Sequence, residues 1–178
     1  MPHLFGYGSL LNLSSASRSL RRQVRQDDLI PARLSGYRRT WTAPAAIQLL
    51  ADPSRPVRNA LFLDLSTADE TCNGVVVQLS ESELQEMDLR EKEYERLQVS
   101  AETALGDVLA AAYVVPAAQK ATEGAVLREY CRMIDDALAN FDAAFRQEFW
   151  ATTDPLPHDL LEGDYRFADA IQNRAAGR

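Results

Sequence analysis

Cysteine and histidine are scarce in this chain, with two of each in 178 residues. Cys72 and Cys131 are too few for a disulfide framework and lack metal-ligand spacing, so a reducing, cytoplasmic setting is the simplest expectation. His3 and His158 lie near opposite ends of the chain. No cluster of His, Cys and acids accompanies them, and no metal centre is expected. Long apolar runs are missing too. The longest, Val108–Ala118, contains Pro116 and falls short of the roughly 18 residues that a membrane span needs. Met1-Pro2-His3 opens without a basic segment or a cleavage-like site, so no targeting segment is expected. Lysine is absent from residues 1–58, which hold nine arginines and three acids, about +6. The net charge is −7, so the remainder carries about −13. The arginines are scattered rather than stacked, and a nucleic-acid partner is not expected. They form a solvated basic face, or one or two of them hold an anionic small molecule.

What the chain does contain is enough to fold. Apolar residues make up 46% and charged residues 25%, which fits one α+β domain with its own core. Leu4–Leu10 reads as a short buried strand ending in a glycine-rich turn. Residues 11–28 read as a loop with a short helix, and Ala32–Trp41 as a strand. Ala43–Arg58 carries Pro44, Pro53 and Pro56 and reads as a long loop able to cover a site. Asn59–Leu65 and Asn73–Leu79 read as separate strands, with Asn73-Gly74 as turn chemistry and Val75-Val76-Val77 buried on both faces. Ser80-x-x-Glu83 is a capping box that opens a helix. Tyr94–Val99 and Val108–Val115 are two more strands. A stripe from Leu127 through Tyr130, Cys131, Ile134, Leu138, Phe141 and Phe145 to Phe149 predicts one C-terminal helix over about 123–149. An irregular tail follows.

Two segments stand out chemically. In Phe5-Gly6-Tyr7-Gly8-Ser9-Leu10 a strand runs into glycines, which lets the backbone turn sharply and present bare N–H groups. Leu11 stands where a dinucleotide fingerprint or a nucleophile elbow needs glycine, so neither is present. The turn either binds a ligand or simply ends a strand. The second segment is the helix opened by Ser80. Glu91 falls four residues after Met87 and seven after Leu84, on the apolar stripe. A carboxylate there is costly unless bonded or paired, and desolvation raises its pKa toward the range of a general base. The alternative is a helix-end glutamate paired with Arg90 or Arg96. Cys131 is a small buried hydrophobe. Ser9 has no activating histidine. Tyr37 and Tyr113 are able to point a hydroxyl into a pocket.

Taken together, Phe5–Leu10, Leu34-Ser35-Gly36-Tyr37-Arg38, Asn73–Leu79 and Met87–Glu91 followed by Tyr94 resemble the γ-glutamylcyclotransferase-like superfamily. The order and spacing match as far as about Val115. The resemblance implies a small mixed β-barrel with flanking helices and a pocket at one end. It implies a reaction in which the α-amine of a γ-glutamyl group attacks its own γ-carbonyl, giving 5-oxoproline and a free amine, amino acid or peptide. It implies Glu91 as general base, no cofactor, and a substrate site of Tyr7, Gly8, Ser9 and Leu10. A substrate α-carboxylate needs donors, for which Arg38 is a candidate beside the turn's backbone, and Tyr113 is a further candidate for the pocket. The chain is then a monomer or homodimer acting on a small γ-glutamyl compound. The glutathione-acting branch carries a Gly- and Pro-rich segment where Arg55–Ala60 stands here. The tyrosine that some members carry before the C-terminal helix has no counterpart around Thr122–Ala125. Glutathione, γ-glutamylamines and γ-glutamylated pathway intermediates therefore remain open as substrates. A non-catalytic binding module is the reading from another class.

Overall fold

Two long strands carry the architecture. In the computed structural model, which describes residues 1–51, 57–157 and 159–176, β2 (Ile30–Leu49) and β3 (Arg58–Gln78) pair antiparallel from Ile30↔Val76 to Ile47↔Arg58. Register shifts between Ser35 and Tyr37 and between Thr40 and Ala43 bend this ribbon. Gly36, at φ +85°, supplies the backbone that the first shift needs. Around the ribbon, β1 (His3–Gly6), β4 (Glu95–Thr103) and β5 (Gly106–Val114) close a barrel. Its order is β3-β1-β5-β4-β2, with β2 returning to β3. The β1–β5 pair is parallel and the others are antiparallel, which is the small mixed barrel that the resemblance implied.

Alternation along these strands divides the apolar residues into two cores. Phe5, Leu34, Leu65, Val76, Val99 and Ala112 belong to a cluster drawn only from the five barrel strands. Leu4, Val75 and Val77 face the other way and join the helices. Val75-Val76-Val77 is thus buried on both faces, as its composition predicts. The helices are α1 (Leu13–Leu20), α2 (Glu81–Arg90), α3 (Arg128–Leu138) and α4 (Ala143–Ala151). The Ser80 capping box forms: the Glu83 N–H donates to Ser80 Oγ at 3.2 Å, and the Ser80 N–H to Glu83 Oε2 at 2.7 Å.

Four expectations are corrected. Residues 43–49 are strand, because Ala43–Ile47 continue the ladder against Phe62–Arg58. The rest of the expected loop, 52–56, lies outside the described residues, as does His158. Asn59–Leu65 and Asn73–Leu79 are two ends of one strand, and Asn73-Gly74 is no turn, since these residues pair with Arg33 and Ala32. The C-terminal helix is two helices. The Asp142 carboxylate accepts the Phe145 N–H at 2.8 Å and starts α4 afresh. The described part of the tail holds regular elements, β7 (Leu160–Leu161), β8 (Tyr165–Phe167), which pairs with the end of β2, and α5 (Ala170–Ala176), while β6 (Ala125–Leu127), where the helix was expected to begin, extends the β3 edge together with β7.

Gly74 is in the strand because two segments press on it. A Cβ there would lie 2.6 Å from the Gly6 carbonyl oxygen and 2.7 Å from the Phe5 ring. We expect Gly74→Ala to lower stability by about 1–3 kcal/mol in urea unfolding, since the obstacle is backbone and cannot rotate away.

Candidate active site

Where β1 ends, the chain folds tightly back. A Cβ on Gly6 would lie 2.9 Å from Leu10 Cβ, and one on Gly8 would lie 3.0 Å from the Tyr130 hydroxyl. These two glycines therefore let the backbone pass close to α3 and to its own next turn. Ser9–Leu11 form a 3₁₀ turn closed by the Leu11 N–H on the Gly8 carbonyl at 3.0 Å. Leu11 is fully buried and pins it. The Ser9 and Leu10 N–H groups, at the start of that turn, have no acceptor within it. The Tyr7 hydroxyl donates to the Tyr113 carbonyl and fixes the turn to β5.

Glu91 reaches the same place from the other side. It is the C-cap of α2, and its N–H donates to the Met87 carbonyl at 2.8 Å. Met87 is buried on the same helix face. Arg90 Nε lies 3.0 Å from Glu91 Oε1, and the Arg90 guanidinium also donates to Ser19 Oγ. Both readings of Glu91 thus hold geometrically: it is paired, with Arg90 rather than Arg96, and it faces a cavity. Arg96 is engaged by Asp88 at 2.7 Å. Burial pushes the Glu91 carboxyl above its ordinary value, while Arg90 pulls the other way without cancelling the shift. Burial also raises the Tyr7 and Tyr94 hydroxyls, helped by nearby acids including Glu91, so both act as neutral donors at physiological pH.

The cavity measures ≈ 170 Å³ and is lined by Gly6–Leu10, Glu91, Tyr94 and Tyr113 among others. It is smaller than the ~300–1,000 Å³ of pockets for drug-sized ligands and suits a group of amino-acid size. Of the sequence-derived candidates, Tyr7, Gly8, Ser9, Leu10, Tyr113 and Glu91 converge here. The Tyr113 hydroxyl itself is spent on Asp88 Oδ1 at 2.7 Å.

Arg38 is a correction. It does not line this cavity, because its guanidinium is held by Asp154 and by Glu70, at 2.6 Å from the latter. It borders instead a more open hollow of ≈ 570 Å³ with Cys131 and Trp150, which holds neither the turn nor Glu91. Tyr37 packs beside the barrel interior.

Sequence reasoning missed several lining residues. Arg18, in the last turn of α1, borders the cavity, is exposed, and has no ion-pair or hydrogen-bond partner among the described residues. Tyr130 was read only as helix stripe, yet its hydroxyl lies against Gly8. Phe62, Tyr165, Phe167 and Gln172 complete the wall. Tyr94, three residues after Glu91, entered only among the residues of the resemblance, with no role of its own, and lines the cavity too. Among the described residues no group of three or more His, Cys, Asp or Glu is placed to hold a metal ion, and no helix is long and apolar enough to cross a membrane.

Residues 4–132 match the sequence profile of the family described as "Gamma-glutamyl cyclotransferase, AIG2-like". Among solved structures, a gamma-glutamyl cyclotransferase is similar over 99% of both chains, with a TM-score of 0.65 and 13% identity. A yeast gamma-glutamyl cyclotransferase specific to glutathione is similar over 99% of this chain and 96% of its own, with a TM-score of 0.59 and 13% identity. YkqA from Bacillus subtilis is similar over 88% of this chain and 55% of its own, with a TM-score of 0.60 and 18% identity. At such identities the likeness is one of fold. No curated protein matches.

Proposed function

The chain belongs to the γ-glutamyl cyclotransferase, AIG2-like family, and from that premise we propose that it converts a small γ-glutamyl amide into 5-oxoproline and a free amine, without a cofactor. The observation that carries this reading is the convergence of the Gly6–Leu10 turn and the buried Glu91 on one cavity of amino-acid size.

The chemistry follows from the placement. The substrate's α-ammonium gives a proton to the Glu91 carboxylate, whose raised pKa brings it nearer the working pH. The freed amine attacks the γ-carbonyl carbon of the same molecule. The oxygen becomes an oxyanion, which the N–H groups of Ser9 and Leu10 are placed to stabilise. Protonated Glu91 then gives its proton to the departing nitrogen and the C–N bond breaks; the ring nitrogen sheds its second proton through the regenerated carboxylate to the freed amine, which leaves as an ammonium, and the neutral five-membered lactam remains. Because attack is intramolecular, the protein's work is to hold the glutamyl chain folded.

Arg18 fits the α-carboxylate better than Arg38, since it borders the cavity without a partner among the described residues while Arg38 is held by two acids. We expect Arg18→Gln to raise KM by about 10-fold with kcat little changed, as befits a charge-assisted hydrogen bond of about 1.5–3 kcal/mol made partly at the exposed rim.

The test is 5-oxoproline release from γ-glutamyl-alanine, γ-glutamyl-lysine, γ-glutamyl-butylamine and glutathione. Product from at least one, lost in Glu91→Gln, supports the reading. A folded protein that turns over none of them while binding one would be a binding module that keeps Glu91 for its ion pair with Arg90.

A further inference from the structure

We infer that the C-terminal arm, residues 159–176, builds the subsite for the departing half of the amide and selects an apolar group there. The inference rests on the cyclotransferase reading above and adds the class of leaving group.

The arm lies beyond residue 132, where the family match ends, yet Tyr165, Phe167 and Gln172 all line the cavity. It is held firmly. β8 pairs with β2 through Ile47↔Phe167 and Leu49↔Tyr165. The Asn173 side chain accepts the Phe167 N–H at 2.7 Å and donates to the Phe167 carbonyl at 2.5 Å. Lys92, next to Glu91, meets Asp169 Oδ2 at 3.3 Å. Phe167 is therefore a fixed wall of the site.

The aromatic rings form a continuous path leading away from the turn. Tyr130, whose hydroxyl lies against Gly8, packs edge-on to Phe62 with ring centroids 4.9 Å apart. Phe62 in turn meets Phe167 at 5.4 Å and Tyr165 at 6.1 Å. The two halves of the substrate cannot exchange places along this path. The glutamyl half carries an ammonium that must reach Glu91 and a carboxylate that needs donors; stripped of water against rings, that carboxylate has no partner. The glutamyl half thus occupies the end with the turn and Glu91. The substituent on the departing nitrogen faces Phe62, Tyr165 and Phe167, where burial rewards apolar surface.

The experiment compares kcat/KM for γ-glutamyl-isopentylamine and γ-glutamyl-methylamine, whose departing halves carry no carboxylate, in wild type, Phe167→Ala and Phe167→Tyr, with melting temperatures for each. Wild type should prefer the isopentylamine compound by at least about 10-fold, since one methylene in an apolar pocket is worth about 10–200-fold. Phe167→Ala should reduce that ratio several-fold. If the alanine variant does not fold, Phe167→Tyr, which keeps the ring and adds a hydroxyl to the wall, should lower the same ratio. A wild-type ratio near one, or a loss equal for both substrates, overturns the inference. If neither substrate yields product, the cyclotransferase reading falls for these compounds. The arm is then decided by calorimetric titration of both compounds into Glu91→Gln protein: tighter binding of the isopentylamine compound upholds the apolar subsite, and equal or absent binding overturns it.

Discussion

Glu91→Gln protein should fold, bind a γ-glutamyl compound and release 5-oxoproline about 10²–10⁴-fold more slowly than wild type, the usual contribution of a positioned general base. Glutamine keeps the size and polarity of the side chain but cannot take the proton that the α-ammonium must lose. The Gly6–Leu10 turn is untouched, so the loss should appear in kcat with KM little moved. Full activity in the folded variant would remove Glu91 from the chemistry and leave only its ion pair with Arg90.

The pH dependence gives this prediction a second readout. The carboxyl works as a base only when ionised, and burial holds its pKa above the ordinary value. The acid limb of kcat/KM should therefore rise through a single ionisation above the usual carboxylate range, about 4.3 for glutamate, and the limb should vanish in Glu91→Gln. Stability runs the opposite way. Between its unfolded and folded pKa values the folded protein holds a proton that the unfolded chain has released, so stability falls as pH rises through that interval. Glutamine escapes that loss. The melting temperature of Glu91→Gln relative to wild type should increase from pH 4 to pH 8, so that the same substitution which stops turnover relieves a strain of burial. A difference that does not change with pH would mean that the Arg90 pair cancels desolvation, and one that falls would mean that the pair governs this carboxylate.

The placement of the candidate site residues was more legible in the sequence than the path of the chain around them. Period put Glu91 on the apolar face, because a helix repeats its face every three to four residues and Met87 and Leu84 mark that face, but it left the ion-pair reading equally open. Glycines at a strand end marked a sharp turn, and only the resemblance gave that turn a ligand and Glu91 a proton to take. Arg38 was misplaced for the converse reason. A β-strand fixes which face an arginine leaves from, but nothing local names Asp154 and Glu70, far along the chain, as the acids that take it. Tyr165 and Phe167 were unreadable in principle: a three-residue strand has no period, and β8 exists only because β2 offers it an edge. The proline-marked segment after Ala43 failed as a loop for a related reason. Pro44 stands opposite Leu61 within the ladder, and tertiary pairing outweighed local propensity. Asn73-Gly74 failed because glycine there answers to the Phe5 ring and the Gly6 carbonyl, not to a turn.

Arg39→Met should cost about 3–5 kcal/mol of stability, the usual penalty for breaking a buried charged network from one side. In a chain of this length that is a fall in Tm of roughly 10 °C. Arg39 is wholly buried. Its guanidinium donates to the Asn73 carbonyl, to Asn73 Oδ1 at 2.9 Å, to the Phe149 carbonyl at 2.6 Å, and to the hydroxyls of Thr152 at 2.7 Å and Thr153 at 2.8 Å. It also lies 3.7 Å above the centre of the Phe149 ring. Among the described residues no carboxylate touches it, and burial pulls its pKa down to about 10, still high enough to keep the charge at neutral pH. The neutral oxygens from β3 and from the end of α4 are what hold that charge, and the side chain thereby fastens α4 to the barrel. Methionine fills much of the space but leaves these acceptors facing apolar atoms, each at about 1–3 kcal/mol when unsatisfied. Lysine should fail to rescue, because its compact ammonium cannot span acceptors arranged around a planar fork. Urea unfolding of Arg39→Met and Arg39→Lys would read this directly. Because Arg39 is not among the residues lining the cavity, the surviving folded fraction should keep its kcat, which separates a clamp from a catalytic group. A variant as stable as wild type would mean that water replaces the guanidinium among these oxygens, and that α4 is held by its apolar face alone.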